Sequence, residues 1–442
     1  MTRLALLDQA AFLRLRATGQ GSVVQCTWMY DRDVDIDELR SFNNNLGAGL
    51  LGRRIERSPL PFGRHRWVTG GRPREVTRTA QRARTEVAAW LEERARVRVD
   101  PEWGPTFHLG VLPLDDGGAA VTLVASHCVA DGLGLGLAIA AAVKGERRDF
   151  GYPQPNSRGR WQAVSEDLVD AVRSLPAVIR ALIATLLILL RLAPSRPAPA
   201  ASTPTEAVAG DAAAALPSVT MQTDAAAWDT RARALGGSGN TLFVAFAACL
   251  ARRMGRVHPD GATVTVVLPV SDRGDDDDRA NALTSITLDV DSTAVANDLS
   301  VVRADVKGRL TALSGEPNEM LAALPLIPFT PRWLVRLTED IAMATGQLPV
   351  GCSNLGGFDT VIGRADGADA TEVSMRLAEQ GITRRRIEQS HGQLFCGTGT
   401  INASRFLTVV AYHSGVENTA AAMRDLARDA LADLELSATT VY

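Results

Sequence analysis

The chain has 442 residues, more than one ordinary hydrophobic core accommodates, so two domains are expected. Hydrophobic residues make up 46% and charged residues 22%, as in globular proteins with a sizeable core. With 47 basic against 50 acidic residues and only 5% aromatics, the chain lacks both the cationic excess and the stacking surface of a nucleic-acid binder.

Five cysteines (Cys26, Cys128, Cys249, Cys352, Cys396) are scattered with no CxxC pair, so neither a metal site nor a disulfide framework is expected. The first residues, Met1 to Asp8, lack the apolar core of a signal peptide, and the cytoplasm is the expected compartment. The Ala- and Arg-rich usage suggests a GC-rich bacterial genome.

Residues 4–16 have helical periodicity, and Ser22 to Tyr30 alternates as a strand does. Asp35-Ile36-Asp37 opens a helix reaching about Leu46. Pro59 to Gly63 is a turn, and residues 76–97 read as a mixed-charge helix. Thr106 to Leu112 and Ala119 to Ala125 are strands joined by the hairpin turn Asp115-Asp116-Gly117-Gly118. The second strand delivers His127, and a helix is expected from about Gly132.

Trp161 to Leu192 is one long helical pattern. Its second half is strongly apolar but shorter than the roughly 20 residues that span a bilayer. Helical spacing places Glu166, Asp170, Arg173, Arg180 and Arg191 on one face, and Leu, Ile, Val and Ala fill the rest. Two readings stay open: a helix packed between domains, or a surface that meets lipid at a membrane interface or tunnel mouth.

A Pro-, Ala-, Ser- and Thr-rich linker follows at 194–217, dividing the chain into 1–193 and 218–442. The second half reads as a strand at 218–222, helices at 225–235 and 240–254, and a strand at 262–270. That strand's unbroken apolar run suggests burial on both faces. A loop covers 271–279, a strand 286–290, a helix 297–313 and broken helical pieces 317–347. Strands near 349–354, 393–399 and 405–412 and a helix at 417–434 close the chain. The mixture lacks strict βαβ alternation, so the fold class is mixed α/β, of the α+β kind.

The chemistry centres on Ser126-His127-Cys128-Val129-Ala130-Asp131-Gly132. A histidine at a strand end can serve as general base, because an imidazole titrates near neutral pH. Asp131 can brace the loop that carries it, and Gly132 permits close folding of the backbone. The plainer reading is a histidine that merely ends a strand, with Asp131 capping the next helix. No GxSxG elbow, HExxH or Walker A motif is present. Adjacent side chains at a strand end point apart, so Cys128 reads as a buried bystander.

This segment resembles the HHxxxDG motif of the thioester-dependent acyltransferase superfamily, with Ser126 in place of the first histidine. That group includes chloramphenicol acetyltransferase, condensation domains, polyketide-associated acyltransferases and wax ester synthase/diacylglycerol acyltransferases. Further echoes are colinear. Leu6-Leu7-Asp8-Gln9-Ala10-Ala11-Phe12 is similar to an opening LDxxF element, and Gly104 to Leu109 lies where a PLW strand stands. Pro269-Val270-Ser271-Asp272-Arg273 with Asn281 is similar to PVSxR…N, and Cys352 to Gly357 to SNVPGP.

The resemblance implies two chloramphenicol-acetyltransferase-like domains, 1–193 and 218–442, with a tunnel between them. It implies His127 as the base, and Asp131 paired with an arginine, for which Arg273 is the candidate. Ser353 and Asn354 would line the opposing wall, as acyl or oxyanion contacts or as a turn that holds the strand crossover. No cofactor is implied; an acyl-CoA or an acyl carrier protein brings the acyl thioester. The acceptor would be a hydrophobic alcohol or a hydroxylated natural product. Partners would then be the thioester donor, the acceptor, a carrier protein and, peripherally, a membrane. Two rivals stand beside this O-acyltransferase: a condensation-type enzyme forming an amide, and a catalytically silent relative acting as a binding partner.

Other residues read less sharply. Asp275 to Asp278 suit a divalent cation by oxygen chemistry but read better as a solvated loop. Arg384-Arg385-Arg386 and Arg53-Arg54 suit coenzyme A phosphates but read better as surface charge. His65, His108, His258, His391 and His413 show no ligand spacing.

Overall fold

The β-branched and aromatic run Gly21–Tyr30 forms an interior strand of a first, five-stranded sheet. It pairs antiparallel with Ala119–Ser126 on one side and Glu372–Gln380 on the other. Phe107–Pro113 and the two-residue strand Thr77–Arg78 complete the sheet. The computed structural model describes residues 2–192, 212–214, 216–274, 277–315, 319–344 and 349–442. Most of the expected linker lies outside them, as do Asp275 and Asp276.

A second sheet of seven strands orders Thr439–Thr440, Ser218–Asp224, Ser404–Tyr412, Gln393–Ile401, Val350–Gly357, Thr263–Ser271 and Leu283–Asp291. Its core helix is Gly239–Arg253, begun by a capping box between Ser238 and Thr241. Every residue from Thr241 to Ala251 is buried, as befits a helix apolar around its whole circumference. The first sheet packs its own core against Ile36–Leu46, capped by Asp35, and against Gly132–Val143. The result is a mixed α/β architecture of two lobes.

Three elements differ from expectation. Residues 76–97 are not one helix: Thr77–Arg78 joins the sheet, and only Val87–Ala95 is α-helical. The Thr263–Ser271 strand alternates buried and partly exposed residues, because its second face looks onto a cleft. Glu372–Gln380, which periodicity leaves unassigned, crosses from the second half of the chain into the first sheet. Its polar residues are buried by specific partners, which hides the period-2 signal. Ser374 meets Tyr442, and Arg376 meets Gln25, Glu92 and Ser218. Thr408 Oγ1, on the second sheet, donates to the Met375 carbonyl at 3.2 Å and ties the crossover strand to both sheets.

Candidate active site

The Ala119–Ser126 strand ends on a tight turn. Ser126 is buried, and its Oγ accepts from the Cys128 N–H at 3.3 Å. The His127 N–H donates to the Ser22 carbonyl at 2.9 Å, so one more rung of the ladder fixes the histidine backbone. The imidazole lines a cleft that opens between the lobes. Among the described residues, no side chain or backbone group hydrogen-bonds its ring. Cys128 points away into the core, where burial pushes its thiol up to about 12.

The cleft exists because two parallel strands separate. Val350–Gly357 pairs with Thr263–Ser271 only at Val350 and Gly351. Beyond that point Pro269 and Ser271 line one side of the opening, and Ser353, Asn354 and Leu355 the other. Asn354 is held by its own bonds. Its Nδ2 donates to Asn240 Oδ1 at 3.0 Å, and its Oδ1 accepts from the Gly356 N–H at 2.9 Å. The Ser353 hydroxyl has no partner among the described residues. Phe395 and Leu377 add apolar wall.

Asp131 is fully engaged. It caps the Gly132–Val143 helix by accepting from the Gly134 N–H at 2.7 Å. Its other oxygen accepts from Arg273 Nη2 at 2.8 Å and from the Ala282 N–H at 3.0 Å. Arg273 also donates to the carbonyls of Asp277, Arg279 and Ala280, so it organises its own loop. Gly132 serves close approach: a Cβ there would lie 2.7 Å from Leu355 Cδ2. Gly136, one turn on, makes the same room for Phe358.

Two further residues grip that loop. Asp8 is buried on the Leu6–Thr18 helix and accepts from the N–H groups of Ala280 and Asn281 at 3.0 and 2.8 Å. Asn281 Nδ2 reaches both Asp8 Oδ1, at 3.2 Å, and the His127 carbonyl, at 3.3 Å. In sequence Asp8 and Asn281 stand out only as parts of motifs; in the fold they connect the opening helix to the histidine backbone. Burial raises the Asp8 carboxyl above its usual range, against these donors. Replacing Asp8 with Ala strands two buried N–H groups and is expected to cost roughly 2–4 kcal/mol in urea unfolding.

Arg53, read from sequence as surface charge, is fully buried. It donates to the Val129 carbonyl at 2.8 Å, to Tyr152 Oη at 2.7 Å and to the Asp278 carbonyl, and it stacks over Trp67. It therefore links the His127 turn to the same loop, which a count of basic residues does not reveal. Arg376 carries no sequence signal of its own, because the strand that holds it, Glu372–Gln380, lacks a period-2 pattern. It lines the cleft, and its Nη2 has no partner among the described residues.

His108 belongs to the core. Arg94 donates to its Nδ1 at 3.2 Å, and its Nε2 faces the Arg94 carbonyl at 3.1 Å. Burial first, then the Arg94 charge, lowers its pKa to about 4. The unfolded imidazole titrates near 6.5, so on acidification the unfolded chain binds the proton first. Stability is expected to fall as pH drops from about 6.5 to about 4. Buried His65 is lowered to about 4 as well and adds to the same slope, so urea midpoints across that range should show the slope and His108→Gln should reduce it without abolishing it. Arg386 forms ion pairs with Glu339 and Asp340, and among the described residues no acidic or thiol cluster could hold a metal.

No family model and no curated protein sequence matches the chain. Solved structures do. The chain is similar to the wax ester synthase/diacylglycerol acyltransferase from Marinobacter aquaeolei VT8, at 14% identity and a TM-score of 0.57, covering 98% of this chain and 99% of that one. It is similar to the condensation domain of the monacolin K polyketide synthase MokA, at 12% identity and a TM-score of 0.55, covering 98% and 96%. It is similar to polyketide synthase associated protein 5 from Mycobacterium tuberculosis, at 14% identity and a TM-score of 0.52, covering 97% and 96%. Likeness at these identities establishes the fold: the two-lobed, chloramphenicol-acetyltransferase-like architecture common to condensation domains and wax ester synthases.

Proposed function

We propose that the protein is an O-acyltransferase that moves an acyl group from a thioester to a hydroxyl acceptor, with His127 as general base. The observation that carries this reading is an imidazole with no hydrogen-bond partner among the described residues, facing the interlobe cleft from a turn whose backbone is fixed on both sides. A base must reach its proton and hold one position, and this arrangement supplies both. The imidazole takes the acceptor proton, the oxygen attacks the thioester carbonyl, and the thiolate leaves with that proton.

The developing oxyanion needs a donor. Ser353 Oγ is the candidate, since Asn354 already spends its oxygen and one amide hydrogen on the wall itself. Asp131, Gly132 and Arg273 act by position, without touching substrate. The apolar lining of Leu133, Leu355, Leu377 and Phe395 favours a hydrophobic acyl chain or acceptor. The donor is an acyl-CoA or an acyl carrier protein, in keeping with the wax ester synthase and polyketide-synthase neighbours.

The test is thiol release from a panel of acyl-CoA and acyl-pantetheine thioesters, with long-chain alcohols and amines as acceptors and mass analysis of the products. Ester formed only with the full chain and an alcohol supports the reading. Amide alone shifts the protein to the condensation type. Absence of thiol release with every donor sinks the enzymatic reading in favour of a silent binding partner.

A further inference from the structure

The Arg160–Leu192 helix is amphipathic in the inverse sense. Its buried positions are Ala163, Asp167, Val178 and Ala181, mostly small or polar, and it packs on the Leu324–Phe329 turn. Its large aliphatic residues face outward. Leu168, Val172, Leu175, Ile179, Leu182 and Leu186 recur at intervals of four and three residues, each between 44% and 57% exposed. They run for about 27 Å along the helix, and Val169, Ile183 and Leu187 widen the stripe. The same Leu324–Phe329 turn packs on Leu6–Thr18, which packs in turn on Arg332–Ala344. That last helix exposes Trp333, Leu337 and Ile341, four residues apart. Isolated exposed apolar residues need no explanation, but a continuous stripe of this length marks a contact surface.

Three occupants compete for it. The stretch 193–211 contains no aliphatic residue larger than Val208, too little to fill a Leu/Ile stripe. A second copy fails on charge. The helix's acids are committed within the fold: Glu166 to Arg158, Asp167 to Arg3 and Arg158, Asp170 to Arg3. Among the described residues its exposed cations Arg160, Arg173 and Arg180 form no ion pair, so two copies meeting through this helix would oppose Arg to Arg with no free acid on the helix to offset them. A bilayer with anionic headgroups satisfies both features at once. Acyl chains take the apolar stripe, and phosphates take the arginines.

We infer that this face seats the protein on an anionic membrane surface, with the helix lying in the interface plane. No single helix among the described residues is long and apolar enough to cross a bilayer. The bent pair Ala225–Ala234 and Gly239–Arg253 reaches a span's length and composition, but its second helix is the buried core. The inference stands apart from the acyl-transfer reading, and its test uses no activity.

The full chain is sedimented with vesicles of equal phosphatidylglycerol and phosphatidylcholine, and with phosphatidylcholine alone. Binding to the anionic vesicles is expected, and it should weaken roughly tenfold or more in Arg173→Glu/Arg180→Glu. Leu175→Asp/Ile179→Asp should also lose binding. Both variants change exposed positions, so circular dichroism and melting should match wild type. Wild type that stays in solution with anionic vesicles overturns the inference, as does undiminished binding by both variants. A concentration-dependent dimer seen by light scattering, dissolved by Leu175→Asp/Ile179→Asp, assigns the face to a second copy and overturns it equally.

Discussion

Replacing His127 with alanine is expected to lower kcat/KM for thioester-dependent acyl transfer by roughly 10²–10⁴-fold, the usual contribution of a positioned general base. Folding stability should stay within about 0.5 kcal/mol of wild type. The two expectations belong together. Among the described residues the imidazole has no hydrogen-bond partner, and the contacts that hold the turn use the His127 N–H and carbonyl, which alanine retains. A residue whose side chain is idle in the fold yet faces the cleft is one whose loss should be felt only in turnover. His127→Gln should be as inactive as alanine, because an amide cannot accept the proton. Thiol release by wild type and both variants, beside urea unfolding of each, gives the answer. A large stability loss with turnover retained would make the histidine a strand terminus and nothing more.

The sequence was most informative where chemistry and local geometry coincide. The strand into His127, the Asp131 cap and the helix from Gly132 lie where periodicity puts them, since short-range rules suffice for a strand, a cap and a helix start. The lobes' mixed α/β character was legible for the same reason. The Glu372–Gln380 crossover was not. Its Glu, Ser, Arg and Gln give no periodic signal, so the stretch goes unassigned, and only long-range partners such as Gln25, Glu92 and Tyr442 make it a strand. Missing that strand meant missing Arg376 and the contribution of Met375 and Leu377 to the cleft.

Arg53 teaches the same lesson from the opposite side. An arginine beside another arginine reads as surface charge, yet Arg53 is the buried hub joining the Val129 and Asp278 carbonyls. Ser126 also gains a physical reason in the fold. Its hydroxyl accepts from the Cys128 N–H inside the turn and does not line the cleft, so a serine suits that position whatever the chemistry next door. The long helix shows the limit of amphipathicity read from sequence. Its apolar face was legible, but that this face would be left uncovered depends on the small residues chosen for the packed side.

Breaking the Asp131–Arg273 pair is expected to have the largest effect on the fold. Both side chains are 4% exposed, so removing one partner leaves a buried, uncompensated charge. Asp131→Ala should cost about 3–5 kcal/mol, since it also strips the cap from the Gly134 N–H and the acceptor from the Ala282 N–H. Arg273→Ala should fall at the lower end of that range, because Asp131 keeps those two backbone donors. The double variant should cost little more than Asp131→Ala alone, giving a coupling of roughly 3 kcal/mol. Urea unfolding of the four proteins measures it. Turnover then decides what the pair is for. It joins the turn after His127 to the loop that carries Asn281, and Asn281 holds the His127 carbonyl. A displacement of about 1 Å at a reacting group costs on the order of 10²-fold in rate. Under conditions where Arg273→Ala is fully folded, kcat should therefore drop about 10–100-fold while KM stays near wild type. A folded Arg273→Ala with wild-type kcat would reduce the pair to a fastener between lobes, with no part in aiming the histidine.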